Sequence, residues 1–190
     1  PAADALAVAR DLMGLLRPAC ERIEVAGSLR RGKPDVGDIE LLAIPRVRMM
    51  ATDFFGEKKA TIDSLDTAVQ GLLNTGRLDY RLNSRGSRQY GPLNKLLVDV
   101  PSGIGVDLFS TTAGNFGMAL VVRTGPASWN VAMMARFQRR HMKGHAYAGV
   151  TGQGGQEIDC PDEETVFRLL GLATVIPPAE RERFELEAAP

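Results

Sequence analysis

Cysteine and histidine are scarce in this chain, with two of each among 190 residues. Cys20 and Cys160 lie far apart and show no metal-ligand spacing, which excludes a disulfide framework and a thiolate zinc site. Two reduced, half-buried thiols are the simple reading. His141 and His145 are four apart, but Gly144 ends any helix they could share. Phosphate contact or plain surface therefore suits them better than a metal site. No run of eighteen apolar residues and no signal-peptide pattern occurs, so the sequence predicts a soluble, cytoplasmic protein without membrane contact. No internal repeat is visible, and there is a single tryptophan, Trp129. Net charge is also missing: 23 basic residues meet 23 acidic ones. That balance removes composition as an argument for or against a polyanionic partner.

Charge distribution says more than the sum. Arg123, Arg136, Arg139, Arg140 and Lys143 fall in a stretch without an acid, and Arg77, Arg81, Arg85, Arg88 and Lys95 meet only Asp79. Nine acids between Glu157 and Glu187 supply the compensation. Two basic stretches and an acidic tail are the true pattern. Solvated helix faces are one reading of the basic stretches; nucleic-acid contact is the other. At 44% hydrophobic the chain can bury one or two small cores.

Periodicity predicts a helix over 3–17 with Leu6, Ala9, Leu12, Met13 and Leu16 on one side, closed by Pro18. A strand over 22–26 leads into the Gly27-Ser28 turn, where Ser28 is expected to N-cap a short helix through Arg31. Gly32 to Gly37 reads as a loop and Ile39 to Ile44 as a central strand ended by Pro45. A helix is expected over 61–73. Leu93 to Val100 and Gly105 to Phe109 read as strands joined by Pro101-Ser102-Gly103. Further expectations are a strand over 116–123, a helix over 127–142 carrying basic residues, a glycine-rich turn over 149–155 and a helix over 161–171. Pro177-Pro178 is expected to end the ordered structure. The fold class is α/β (α+β), with a seam near 114.

The chemistry concentrates in AGSLRRGKPDVGDIELL, residues 26–42. Strand alternation turns Asp38 and Glu40 to one face while Ile39 and Leu41 take the other. Two adjacent carboxylates repel unless cations neutralise them, and hard divalent ions prefer such oxygens. An isolated D-x-E is also what exposed acids on an edge strand look like. A third acid shifts the balance: Asp107 sits inside the apolar run Gly105 to Phe109, where an unpaired carboxylate is costly. Three converging carboxylates could hold two cations about 4 Å apart, as in-line displacement at phosphorus requires. Gly27-Ser28 fits the same chemistry, because glycine admits close backbone approach and helix-start N–H groups attract phosphate. Arg31 would add a forked donor. Taken alone, that turn is equally an ordinary capped turn beside solvated arginines.

G-S-x-x-R-x(5)-G-D-I-E over 27–40 resembles the nucleotidyltransferase signature of family X DNA polymerases, the polymerase β-like group. V-D-L-F at 106–109, a Phe-Gly element at 116–117 and Thr124-Gly125-Pro126-Ala127-Ser128-Trp129-Asn130 are similar to that family's strand, connecting segment and T-G-S-x-x-F-N motif. E-E-T-V-F-R-L-L-G-L at 163–172, then Ile176-Pro177-Pro178, resembles its C-terminal stretch. The likeness runs from about Val25 to Arg181 and is weakest between 45 and 92.

This resemblance implies a mixed-sheet nucleotidyltransferase palm over 1–113 and a small nucleotide-selecting α+β subdomain over 114–190. It implies that Asp38, Glu40 and Asp107 bind two Mg²⁺ ions (Mn²⁺ as a substitute), with Asp107 activating the primer 3′ hydroxyl. Gly27, Ser28, Arg31 and Gly37 would hold a triphosphate, and Thr124, Gly125, Trp129 and Asn130 would line the sugar and base. Arg123, Arg136, Arg139, Arg140 and Lys143 would grip DNA. The partners implied are template-primer or gapped DNA and a dNTP, with the protein a monomer.

Three departures stand out. Glu40 replaces the family's usual aspartate, which predicts looser metal geometry. Val122-Arg123 replaces an aromatic pair that crowds the ribose 2′ position, so rNTPs are not expected to be strictly excluded. Pro126 replaces a serine. Nothing resembles the family's lyase domain, and a minimal form is the expectation. Two other readings stay open: a nucleotidyltransferase acting on RNA ends, a protein or a small molecule, and a non-catalytic nucleic-acid-binding module.

Overall fold

A computed structural model of the chain describes residues 1–51 and 59–186. Helix α1 (Ala2–Leu16) forms as its periodicity requires and buries Ala5, Ala9, Leu12 and Leu16 along one stripe. A 3-10 turn containing Pro18 then delivers the chain to β1 (Cys20–Val25). One helical turn, α2 (Gly27–Arg30), separates β1 from β2 (Asp38–Pro45). Two strands that the sequence pattern did not signal follow, β3 (Val47–Ala51) and β4 (Lys59–Asp63), paired with each other.

The helix expected over 61–73 is α3 (Ser64–Asn74), starting three residues later. Asp63 decides that start, since its carboxylate accepts from the Leu65 and Asp66 N–H groups as an N-cap. After β5 (Leu78–Tyr80) come β6 (Asn94–Asp99) and β7 (Ile104–Ser110), joined by the expected turn.

These strands build a mixed five-stranded sheet in the order β1-β2-β7-β6-β5. β2 runs parallel to β7, and every other pairing is antiparallel. The parallel pair at the centre sets Asp38 opposite Gly105 and Glu40 opposite Asp107. Helices α1 and α3 cover one face, where Leu12, Ile39, Leu41, Leu65, Leu97, Val106 and Leu108 pack together. Alternation then leaves the carboxylates on the opposite face, beside a smaller cluster of Ala26, Leu42, Phe109, Phe116, Ala119 and Leu120.

The strand expected over 116–123 is instead a helix, α4 (Phe116–Thr124). Phe116 through Val121 are all buried, so the run is apolar around the whole circumference and carries no helical stripe to read. α4 is wedged between the sheet and a second core, and it needs Gly117. A Cβ there would collide with the Asp162 backbone at the head of a later helix. α5 (Ala127–Arg139) ends earlier than expected, and His141 stands outside it with φ 57°.

β8 (Lys143–His145), β9 (Gly149–Thr151) and β10 (Glu157–Ile158) form a small antiparallel sheet, so the first part of the expected glycine turn is strand. α6 (Glu163–Leu169) is capped by Asp162, which accepts from Thr165 N–H at 2.8 Å. A further 3-10 turn, Pro178–Glu180, follows the point where ordered structure was expected to stop.

The second core holds Met118, Val121, Trp129, Met133, Phe137, Val150, Val166, Phe167 and Leu170. The class is α+β with a mixed sheet. Both cysteines are fully buried rather than half-buried, and burial pushes each thiol up to about 11. Among the described residues no helix is long and apolar enough to cross a membrane.

Candidate active site

β2 and β7 position the acids. Because they are parallel neighbours in register, Asp38, Glu40 and Asp107 rise from one face of the sheet, all half-buried. Their environments differ. Glu40 is pushed up to about 7, first by burial and then by the Asp38 and Asp107 carboxylates, against the opposing pull of Arg123 and Arg31. Burial also lifts Asp107 above its ordinary range, although Arg81 works the other way.

The turn before β2 is tied to these acids. Ala26 N–H donates to the Glu40 carbonyl at 2.8 Å, which places α2 directly over the Glu40 side chain. Gly27 has φ +65°, and a Cβ built on it would lie 2.7 Å from Glu40 Cδ. Only glycine satisfies both conditions. The longer glutamate side chain lays its carboxyl against this glycine.

α2 is a single turn of four residues, and Ser28 does not cap it. Ala26 holds the N-cap position without a side-chain bond, so the expected cap is corrected: the turn is fixed by the β1–β2 pairing instead. Ser28 is half-buried, and Gly37 is exposed just before β2 with nothing crowding it.

The second wall comes from α4 and α5. A cleft of about 300 Å³ is lined by Arg31, Glu40, Phe109, Val122, Arg123, Gly125, Pro126, Ala127 and Asn130. Asn130 Nδ2 donates to the Val122 carbonyl at 2.8 Å, leaving its buried Oδ1 without a partner. Arg31 Nη1 donates to the Thr124 carbonyl, while its Nε faces the Glu182 carboxylate at 3.5 Å. Orphaned buried donors and acceptors are uncommon and mark a place where a ligand's groups can bind. Arg123 lies over the Phe109 ring at 3.8 Å and the Tyr147 ring at 4.7 Å, a cation held by two aromatic faces.

Three expected site residues, Trp129, Arg136 and Thr124, do not line the cleft. Trp129 is only 2% exposed and stacks on Phe167 in the second core, so its ring does not face the cleft. Helical spacing explains this: with Asn130 turned to the cleft, its neighbour points inward. Arg136 is 6% exposed and cannot reach DNA, because its guanidinium donates to the Leu170 and Leu186 carbonyls at 2.6 and 2.9 Å. Arg139, Arg140 and Lys143 are exposed, although Arg140 Nε donates to the Leu169 carbonyl. Thr124 is fully buried, and its hydroxyl accepts from Arg30 Nη1 at 3.0 Å.

Four charged residues that the sequence pattern did not single out organise the site. Arg30 donates to both Glu163 oxygens at 2.8 and 2.7 Å, and Arg181 Nη2 donates to the same carboxylate at 2.9 Å. This fork joins α2 to the head of α6. The fourth is Arg81, just after β5: its Nη2 donates to Asp107 Oδ1 and lies 3.6 Å from Asp38 Oδ2. Nothing in the sequence separates Arg81 from the other arginines of its basic stretch.

The carboxylate oxygens match what a hard divalent cation prefers, and a guanidinium already stands between two of them. Among the described residues, however, no three acidic, imidazole or thiol groups form a ready-made cage.

Among curated proteins none matches the chain at a significant level. Residues 119–182, from within α4 to just beyond the Pro178–Glu180 turn, match the DNA polymerase beta thumb family, which supports a polymerase beta-like family for this chain.

Proposed function

We propose that the chain is a family X type nucleotidyltransferase that adds nucleotides to a primer 3′ end in gapped or template-primed DNA. The observation that carries this reading is the convergence of Asp38, Glu40 and Asp107 on one sheet face, directly beneath the Gly27-Ser28 turn. The thumb match over the opposite wall supports it and suggests a DNA partner. On this reading residues 1–113 act as the palm and 114–190 as the nucleotide-selecting unit.

Asp38, Glu40 and Asp107 would hold the magnesium ions, which when bound supply charge neutralisation and a lowered pKa for an attacking hydroxyl. The chain's own groups then have separate tasks. Ser28, the N–H groups of the Gly27 turn and Arg31 bind phosphate oxygens, since the first N–H groups of a helical turn lack partners within it. Asn130 offers its free Oδ1 to sugar or base, and Gly125 lets the nucleotide pack close to the backbone. Arg123, pinned between two rings, keeps positive charge beside Glu40 and the incoming phosphates. Asp107 stands where a primer hydroxyl's proton can be accepted.

The test is extension of a duplex with a one-nucleotide gap, using labelled dNTPs and magnesium, with rNTPs and RNA ends as parallel acceptor arms. Product in the gap is expected, with Asp107→Asn reducing it by about a thousandfold or more, as loss of a group acting only in the transition state does. Transfer only to RNA or small acceptors would reassign the acceptor. No transfer in any arm would overturn the reading.

A further inference from the structure

Arg81 is the cation closest to the acids, and its position is built rather than incidental. Its backbone N–H donates to the Leu96 carbonyl at 3.1 Å, anchoring the residue against β6. Its guanidinium lies over Gly105, where an added Cβ would approach Cζ to 3.2 Å. Gly105 is the register partner of Asp38 and stands two residues before Asp107, so the missing side chain leaves the space in which the guanidinium rests. One nitrogen, Nη2, serves both Asp107 and Asp38. Meanwhile Nε is buried without an acceptor, and the side chain keeps 34% of its surface in contact with solvent. The grip is therefore incomplete and has a way out.

The geometry points to Arg81 as a resident counter-ion: it occupies the gap between Asp38 and Asp107 in the metal-free chain, and an arriving divalent cation must displace it. This deepens the function proposed above and rests on its reading of those two acids. Two positive charges cannot share one pair of carboxylates without repulsion, so the guanidinium and the metal compete. Displacement returns the orphaned Nε to water, which lowers the cost of leaving. Arg81 is a positioning residue, acting through the acids.

Mn²⁺ binding to the full chain, without nucleotide or nucleic acid, tests this through the electron paramagnetic resonance signal of the free ion. Arg81→Gln is expected to tighten binding by about tenfold, within the range of ordinary site-to-site coupling. Arg81→Lys retains a positive charge and should stay within about threefold of the parent. Gly105→Ala leaves the arginine present but crowds it, and it too should tighten binding. It decides the matter if Arg81→Gln fails to melt cooperatively. Unchanged or weaker Mn²⁺ binding in the deciding variant overturns the counter-ion role. Asp107→Asn separates the counter-ion role from the metal site itself. Loss of Mn²⁺ binding there leaves the metal reading intact whatever Arg81 does, whereas retained binding overturns both.

Discussion

Single atoms decide much of the site, and Gly27 is the clearest case. Its backbone is left-handed, and its missing Cβ makes room for the Glu40 carboxyl. Gly27→Ala combines a positive-φ penalty of about 1–2 kcal/mol with a clash against Glu40. Chemical denaturation should show a loss of that size or more. Part of the loss should return when Glu40→Ala is added, giving a non-additive cycle of at least about 0.5 kcal/mol. Sequence reading found this glycine through its motif but not its reason, because the contact is with a residue thirteen positions away. Arg81 and Arg30 escaped notice for a related cause: an arginine's role depends on which carboxylate its long side chain reaches.

Between elements, the Arg30–Glu163–Arg181 fork joins α2 to α6. Burial opposes ionisation of Glu163, yet bonds from Arg30 and the charge of Arg181 hold its carboxyl below the usual range. The sign of the pH effect follows. For a depressed carboxyl, the stabilisation is complete above the unfolded value near 4.3 and is lost as pH falls through the lower folded value. Thermal melting between about pH 6 and pH 3 should show this loss, and Glu163→Gln should flatten it. At neutral pH that variant should cost about 2–3 kcal/mol, somewhat less than the ~3–5 kcal/mol of a fully buried pair, because Arg30 keeps some solvent contact. The α4 segment shows the limit of pattern reading at this scale. A helix buried on every side has no polar face, so its period cannot be seen.

For the whole molecule, charge placement matters more than charge number. Arg139, Arg140 and Lys143 are exposed, while Arg136 in the same stretch is consumed internally. Replacing the three exposed residues with alanine should lower the slope of log affinity for DNA against log salt by about 2–3, roughly one unit for each phosphate no longer neutralised. Arg136→Met should leave that slope unchanged and act on stability instead. A triple variant with an unaltered slope would remove this face from the DNA-binding surface.

By itself, the sequence determined the stripe of α1, the alternation that sends Asp38 and Glu40 to one face, the turn between β6 and β7, and the chemical kinds of the candidate site residues. These depend on short-range periodicity and on residues a few positions apart. Only the tertiary structure decided that β2 and β7 lie parallel and in register, that Trp129 and Arg136 turn inward, and that Arg81 sits between two acids. Each of those outcomes rests on contacts between distant segments, where packing and long side chains choose among partners that local pattern leaves equivalent.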